Sequence, residues 1–423
     1  MGIITNCYNN ATILFSTAIS DGNYIGGICG TGGAVDCYNT GDISVFSTYL
    51  SPSDTRYISH VGGISGHGGV LNCHNTASVS VTFDSNCSVG VGGINGHDGF
   101  SKISNCYNLG NVSGSNTSGS TDVGGICGMG IKDSISNCYN YGDVSSTSNR
   151  EAYAGGIGGS NGITPLYSCF ISNCYNKGNV SSTSNGEAYT GGICGWNNQY
   201  ISNCYNTGNV SSTNYAGGIC GISKHEERHT PSTINCFSAN ADVMGARYQT
   251  ARIGVNNNST FSSCYALSSM QVNGSAPENN GNVVHGQDAE FSSFTDQSWI
   301  EQNLSWDFQD IWIMSDVNDP FLQGLPVLRI NNNTSVHVPL ADKSPAIFVY
   351  PNPVCSGETV YITGVQGQAV VSLVSLNGSV LRSETFEPVS GEIALSIGEI
   401  PAGVYFIRLS TGEEVKMVKA IVK

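Results

Sequence analysis

The sequence predicts an all-β chain: a parallel β-solenoid followed by a small Ig-like β-sandwich. Three observations predict it. A motif built around Asn-Cys-Tyr-Asn occurs nine times, with its Cys at 7, 37, 73, 106, 138, 174, 204, 236 and 264, so that copies lie 28 to 36 residues apart, a period at which stacked repeat architectures occur. Charged residues are only 11% of the 423 residues and Gly numbers 54, against about 25% charged and about 7% Gly in an average soluble domain; this excludes a helical bundle or coiled coil. Beyond residue 345 the repeat stops, and short alternating apolar runs divided by turn residues take over, as in a small sandwich.

The repeat region occupies residues 1–284. Between successive Asn-Cys-Tyr-Asn motifs lies Gly-Gly-Ile followed by a small residue, at Gly26–Cys29, Gly62–Ser65, Gly92–Asn95, Gly124–Cys127, Gly155–Gly158, Gly191–Cys194 and Gly217–Cys220. With the Val-Ser-Ser stretch that follows many motifs, each period is expected to hold two or three short β segments separated by polar turns, and no helical periodicity is visible. One such unit has too few large apolar side chains to offset its chain entropy, so it must stack on copies of itself. Ile and Cys three apart, as in Ile171 and Cys174 or Ile201 and Cys204, both point inward if the Asn between them takes a left-handed bend. Stacked Asn173 and Asn203 are then placed to hydrogen-bond from rung to rung, and Gly178 and Gly208 are expected to mark the next corner.

Alternation of V-G-G-I-x-G with I-S-N-C-Y-N-x-G-x-V-S resembles the GLUG repeat, found in bacterial surface proteins and in non-catalytic parts of immunoglobulin A-specific metallopeptidases. The resemblance spans residues 1 to about 275 and implies a right-handed parallel β-helix on a cell surface; it implies no activity. Residues 285–330 hold three of the four Trp (Trp299, Trp306, Trp312) and are expected to form an aromatic-rich C-terminal cap, since a solenoid must shield its last apolar rung. An exposed aromatic patch for sugar or peptide is the rival reading of that segment.

A polar linker is placed at 331–345, and 346–423 forms a separate domain of seven short strand candidates. This domain resembles the C-terminal sorting domain of the type IX (Por) secretion system of Bacteroidetes, through Tyr350-Pro351-Asn352-Pro353, Leu376-Asn377-Gly378, the run Pro401 to Leu409 with Gly403 and Tyr405, and the terminal Lys416–Lys423 with Lys419. The resemblance implies recognition by the secretion machinery, removal of the domain by cleavage in the linker, and release of the remainder or its attachment to surface lipopolysaccharide. Export by this route calls for an N-terminal signal peptide, whereas GIITNCYNN at residues 2–10 reads as the middle of a motif. The expectation is that the sequence begins inside a longer protein.

Few residues suggest chemistry. A net charge of -15 with no long basic run excludes nucleic-acid and anionic-membrane partners, and no run of 18 apolar residues suggests a membrane span. The single metal-like motif is His225-Glu226-Glu227-Arg228-His229, which on a helix would set His225 and His229 on one face with Glu226 as a base. It lies in a loop limited by Pro231 with no third-ligand helix downstream, so a polar loop is the preferred reading and no metal or cofactor is expected. Of 16 Cys, thirteen occupy two repeat slots, nine in N-C-Y-N (among them Cys106, Cys138, Cys174 and Cys204) and four in G-G-I-C. Buried free thiols are the preferred reading; disulfides between rungs are the alternative. The repeated Tyr either lines an outer face as a ladder or packs under a loop.

The expected function is that of a non-catalytic secreted or outer-membrane-surface protein, adhesin-like or a spacer, not an enzyme, with the secretion machinery as partner and a glycan or host surface protein as ligand. The alternatives are a non-catalytic fragment of a larger secreted enzyme such as a metallopeptidase, and a carbohydrate-active β-helix, although the acidic residues are too scattered to propose a catalytic pair.

Overall fold

Each repeat must place Ile and Cys, three residues apart, both inward, and strict strand alternation cannot do this. The solution, seen in a computed structural model, is a bend at one Asn. Asn6, Asp36, Asn72, Asn105, Asn137, Asn173, Asn203 and Asn235 all sit in the left-handed region, φ 53 to 55°. The bend turns the chain between two sheets so that Ile103 and Cys106, or Ile171 and Cys174, enter the same core. The structure describes the chain apart from residues 1, 19–21, 49–58, 85, 100, 131–133, 163–168, 225–229, 247–248, 278–282, 320–321, 330–347, 351–353, 355, 364, 366, 376–379, 389–391, 402 and 412–413. It divides into two compact units, Met1–Asn332 and Asn333–Lys423.

The first unit is a parallel β-solenoid. Each turn contributes one strand to each of five parallel sheets of eight to ten strands, more than the two or three segments expected from sequence. The excess comes from elements as short as the two-residue Tyr107–Asn108 strand, which have no recognisable pattern alone and are defined by pairing with the rungs on either side. Repeats align slot for slot: Val144 on Val180, Tyr139 on Tyr175, Ile135 on Ile171.

The rungs enclose two cores. One gathers the Ile and Cys columns, such as Ile103, Cys106, Ile126 and Cys127; the other gathers the Val columns, such as Val79, Val91, Val112 and Val123. The strands before and after each Gly-Gly-Ile lie between these cores and pack on each other through glycine. A Cβ on Gly128 would overlap the backbone of Gly90 and Val91 in the preceding rung, which is why the motif continues as G-G-I-x-G. Gly178 and Gly208 are required for a related reason rather than for a left-handed corner: a Cβ there would overlap the carbonyl of Gly142 or Gly178 one rung below.

After the last rung, Gln287–Ala289 adds a tenth strand to the Tyr-Asn sheet. A short helix, Gln297–Leu304, follows, with Asp296 accepting hydrogen bonds from the backbone N–H of Ser298 and Trp299 at its start. Two turns are too short to show a helical period in sequence. Among the described residues no helix is long and apolar enough to cross a membrane.

The second unit contains two antiparallel sheets, one of three strands (Phe348–Tyr350, Thr359–Thr363, Glu392–Ser396) and one of four (Val380–Phe386, Ala369–Ser375, Gly403–Thr411, Glu414–Val422). Alternate residues of both, including Val360, Ile362, Val371, Leu373, Ile393 and Ile407, share one core. This is the small sandwich the alternation predicts. The linker expected at 331–345 lies outside the described residues.

Candidate functional site

Two polar ladders run the length of the solenoid. Along the bends, Asn203, Asn173, Asn137 and Asn105 each donate an amide N–H to the Asn one rung back at 3.1 to 3.3 Å, and Asn72 donates to Asp36 at 3.0 Å. The second Asn of the motif forms a tighter, buried ladder: Asn39, Asn75, Asn108, Asn140 and Asn176 each donate to the next at 2.8 Å. The same nitrogen also bonds the carbonyl two residues on, as Asn140 does to Gly142 at 2.7 Å. Each amide rests against the second Gly of a Gly-Gly pair, where a Cβ on Gly125 would overlap Asn140. Sequence reasoning found the first ladder; the second is legible only once Gly-Gly and Asn are seen to meet.

Between Cys, which points in, and this Asn, which also points in, the motif's Tyr must point out. Tyr8, Tyr38, His74, Tyr107, Tyr139, Tyr175, Tyr205 and Phe237 therefore form one stack, with ring centroids 4.7 to 5.3 Å apart and planes within 10°. The ring faces are turned to one another along the column, so only edges and hydroxyls are presented outward. Both readings of the Tyr hold, in different halves. At the start the stack is open, with Tyr8 62% and Tyr38 37% exposed; from Tyr107 (8%) and Tyr139 (1%) onward it is buried.

From Tyr175 to Phe237 the cover is the aromatic-rich segment, which lies along the side of the solenoid as well as at its end. Phe294 stacks on Phe237 at 4.3 Å, Trp306 and Trp312 lie tilted 31° and 47° to Tyr205, and Trp306 stacks on Trp312 at 4.4 Å. The Tyr205 hydroxyl donates to the Pro326 carbonyl at 2.8 Å, and the Trp306 indole donates to the Asn235 carbonyl at 2.9 Å. Burial pushes the Tyr107 phenol up to about 12 and Tyr205 well above its usual range.

Sequence reasoning missed a cluster of imidazoles. His97 lies 4.5 Å from His60 and 4.9 Å from His67 between ring centroids, with Tyr24 against both His60 and His67. The signal was a shared slot, Gly66-His67 and Gly96-His97 after successive Gly-Gly-Ile motifs, with His60 brought in from the strand before. Burial, then the neighbouring imidazoles, hold His60 well below 6.5 and His97 at about 4. His67 and His97 stack within 16°, which sets their nitrogens side by side rather than toward one point. Among the described residues no group of three or more His, Cys, Asp or Glu is arranged to hold a metal ion. Nearby, burial raises the Asp122 carboxyl to about 7, beside Ser160 and Glu151.

His225, Glu226 and His229 lie outside the described residues. The fifteen described cysteines are free thiols, fourteen of them buried, including Cys106, Cys138, Cys174 and Cys204. Each of these four donates its thiol to the carbonyl two residues earlier at 3.1 to 3.2 Å; burial raises the Cys220 thiol to about 12. In the second unit, Pro351, Asn352 and Pro353 lie outside the described residues, Tyr350 ends the first strand, Gly403 opens the sixth and Lys419 lies within the seventh. Tyr405 is buried and its hydroxyl donates to the Pro401 carbonyl at 2.8 Å.

Residues 348–423 match the family model of the secretion system C-terminal sorting domain. A type IX sorting tail marks the chain for export and a secreted or cell-surface location, with the secretion machinery as its partner. No curated protein matches the chain. Among solved structures it is similar to PorZ of Porphyromonas gingivalis, described as an essential bacterial surface component of the type-IX secretion system, at 22% identity over 24% of this chain and 14% of that chain, with a TM-score of 0.17.

Proposed function

We propose that the chain is a non-catalytic GLUG-type repeat protein, a spacer or adhesin-like rod delivered to the outside of the cell by its C-terminal domain. The observation that carries the reading is the attachment of a sorting domain, residues 348–423, to a rod whose recurring side chains serve one another. The Asn bond Asn, the Cys fill the core and the Tyr stack on Tyr. Function argued from a site needs polar groups converging on a substrate, and a residue type repeated in every rung is scaffold.

Of the two ligand classes, a protein is favoured over a glycan. Sugar rings stack on aromatic faces, and in this column the faces are occupied by neighbouring rings, leaving edges and hydroxyls that suit aromatic edges and main-chain carbonyls.

Cell fractionation with mass spectrometry of the mature C-terminus tests the sorting half. A surface or medium protein ending within residues 331–345 is expected; a surface-located chain that retains Lys423 would overturn cleavage. Zinc titration tests the non-catalytic half. Submicromolar binding that disappears in His225→Ala would reinstate a metallopeptidase reading.

A further inference from the structure

The imidazole cluster contains a turn to which two hydrogen-bonding arrangements are available. His97 ends the strand Asn95–His97 and aligns with His67 on one neighbouring rung and Met129 on the other. Its Nδ1 accepts the backbone N–H of Gly99 at 2.8 Å, which requires a neutral ring with its proton on Nε2. The position that follows is Gly68, Gly130, Asn161, Asn197 or Ser223 on other rungs; on this rung it is Asp98. The Asp98 side chain is buried, and its Oδ1 lies 3.7 Å from His97 Nδ1, too far for a hydrogen bond. One ring nitrogen therefore faces a main-chain donor whose bond it accepts and a carboxylate to which it is not yet bonded. Gly99 completes the arrangement. Its φ is +61°, and a Cβ on it would come 2.9 Å from Gly68 N and His67 Cε1, so its backbone rests on the imidazole of the preceding rung.

We infer that Asp98 and Gly99 form a proton-driven switch: when His97 takes up a proton at Nδ1 it releases the Gly99 N–H and donates instead to Asp98, and the chain at Gly99 moves off His67 while the strands of the rung stay paired. The proton comes from solvent, and the only bond formed is N–H. An imidazolium carries N–H on both nitrogens, so the Gly99 N–H then meets a donor and must move. Closing 3.7 Å to the roughly 2.8 Å of a charge-assisted bond takes a shift of about 1 Å, which a glycine turn can absorb. The strand is held separately, with Ile94 and Asn95 donating to the Ile126 carbonyl at 3.1 and 2.8 Å. Among the described residues, His97 faces His60 and His67, with Tyr24 against both, and the exposed Lys102 follows the turn. The Cys127 thiol lies near Asp98, and Asp122 stands two rungs along from His60 in the same column. Burial and the His67 imidazole oppose the charge and hold His97 at about 4 in the present arrangement; pairing with Asp98 acts in the opposite direction. Proton uptake coupled to the swap is therefore centred between about 4 and 6.5. This inference concerns the rod alone, so its failure would leave the reading of export and of ligand untouched.

The test is a titration of the full chain from pH 7.5 to 3.5, followed by histidine-ring NMR, with His97 assigned by loss of its signal in His97→Asn. Amide exchange is read in parallel by mass spectrometry and corrected for the intrinsic effect of pH on exchange. His97 is expected to protonate with a midpoint between about 4 and 6.5. Over the same range exchange should quicken at least tenfold across residues 98–102, while Ile94 and Asn95 keep their protection. In Asp98→Asn, which preserves size and removes the charge, the midpoint should fall by about one pH unit or more, and the quickened exchange should shift with it. Circular dichroism checks that this variant folds; should it not, the comparison of turn and strand in the unaltered chain carries the test alone. A His97 that stays neutral down to pH 4, equal midpoints with and without the Asp98 carboxylate, or strand amides that open together with the turn would overturn the inference.

Discussion

Replacing Asn140 by Ala isolates the contribution of the inner amide ladder. In the intact protein its nitrogen donates to Asn176 at 2.8 Å and to the Gly142 carbonyl at 2.7 Å, and its oxygen accepts from Asn108 at 2.8 Å. All three partners are buried. Truncation leaves one donor and two acceptors unsatisfied away from water, at roughly 1–3 kcal/mol each, so a loss of about 3 to 9 kcal/mol is expected. The comparison variant is Asn137→Gly, which removes an outer-ladder amide whose bonds are longer, 3.2 and 3.3 Å, and only part-buried. Glycine keeps the left-handed bend that Ala would strain by about 1–2 kcal/mol. Water replaces the lost bonds there, and the expected cost is about 1 kcal/mol. Guanidinium unfolding of the full chain, with amide hydrogen exchange to localise the effect to the rungs around Asn140, measures both. Equal losses within error would refute the claim that burial of the inner ladder, rather than the ladder pattern itself, stabilises the stack.

The remaining predictions concern close approach, protons and thiols. Gly178→Ala forces a Cβ onto the Gly142 carbonyl and should destabilise by about 3 kcal/mol, measured in the same unfolding experiment; a neutral result would mean the rungs can separate there without cost. For His97 the folded group binds its proton near 4 and the unfolded group near 6.5, so stability is full above pH 6.5 and falls by up to about 3 kcal/mol as pH drops toward 4. Melting temperatures of the wild type and His97→Asn from pH 7.5 to 4.5 isolate it: the contributions of His60 and Asp122 are common to both, and the wild type should lose more stability on acidification than the variant. Asp122 has the opposite sign: its carboxyl titrates near 7 in the fold against 3.8 unfolded, so its contribution is present below pH 3.8 and lost as pH rises to 7. Asp122→Asn should therefore raise stability at pH 8 by up to about 4 kcal/mol and change little at pH 4. Thiol titration in denaturant without reductant should find all fifteen described cysteines free, and adding reductant should expose no more among them.

The repeat, its inward Ile and Cys, the left-handed Asn and the outer amide ladder were legible in the sequence because each follows from local geometry: a bend every rung at one residue type that tolerates it, and identical residues brought over one another by a fixed period. The sandwich and its seven strands were legible for the same reason, since alternation is a nearest-neighbour property. The Gly-Gly-Ile glycines needed the structure, because what they avoid is the backbone of another rung, some thirty residues away in the chain. The imidazole cluster gathers His60, His67 and His97 from two rungs and two sheets.

The largest decision left to tertiary structure concerns the aromatic segment. Its composition announced that it must cover something apolar, but not which surface. The column of Tyr edges is continuous from rung to rung along the solenoid's side, and the segment lies along it from Tyr175 to Phe237. Sequence therefore determined what every rung contains. Only the assembled stack decided which side chains remained available to anything else, because exposure belongs to the neighbours a residue acquires and not to the residue.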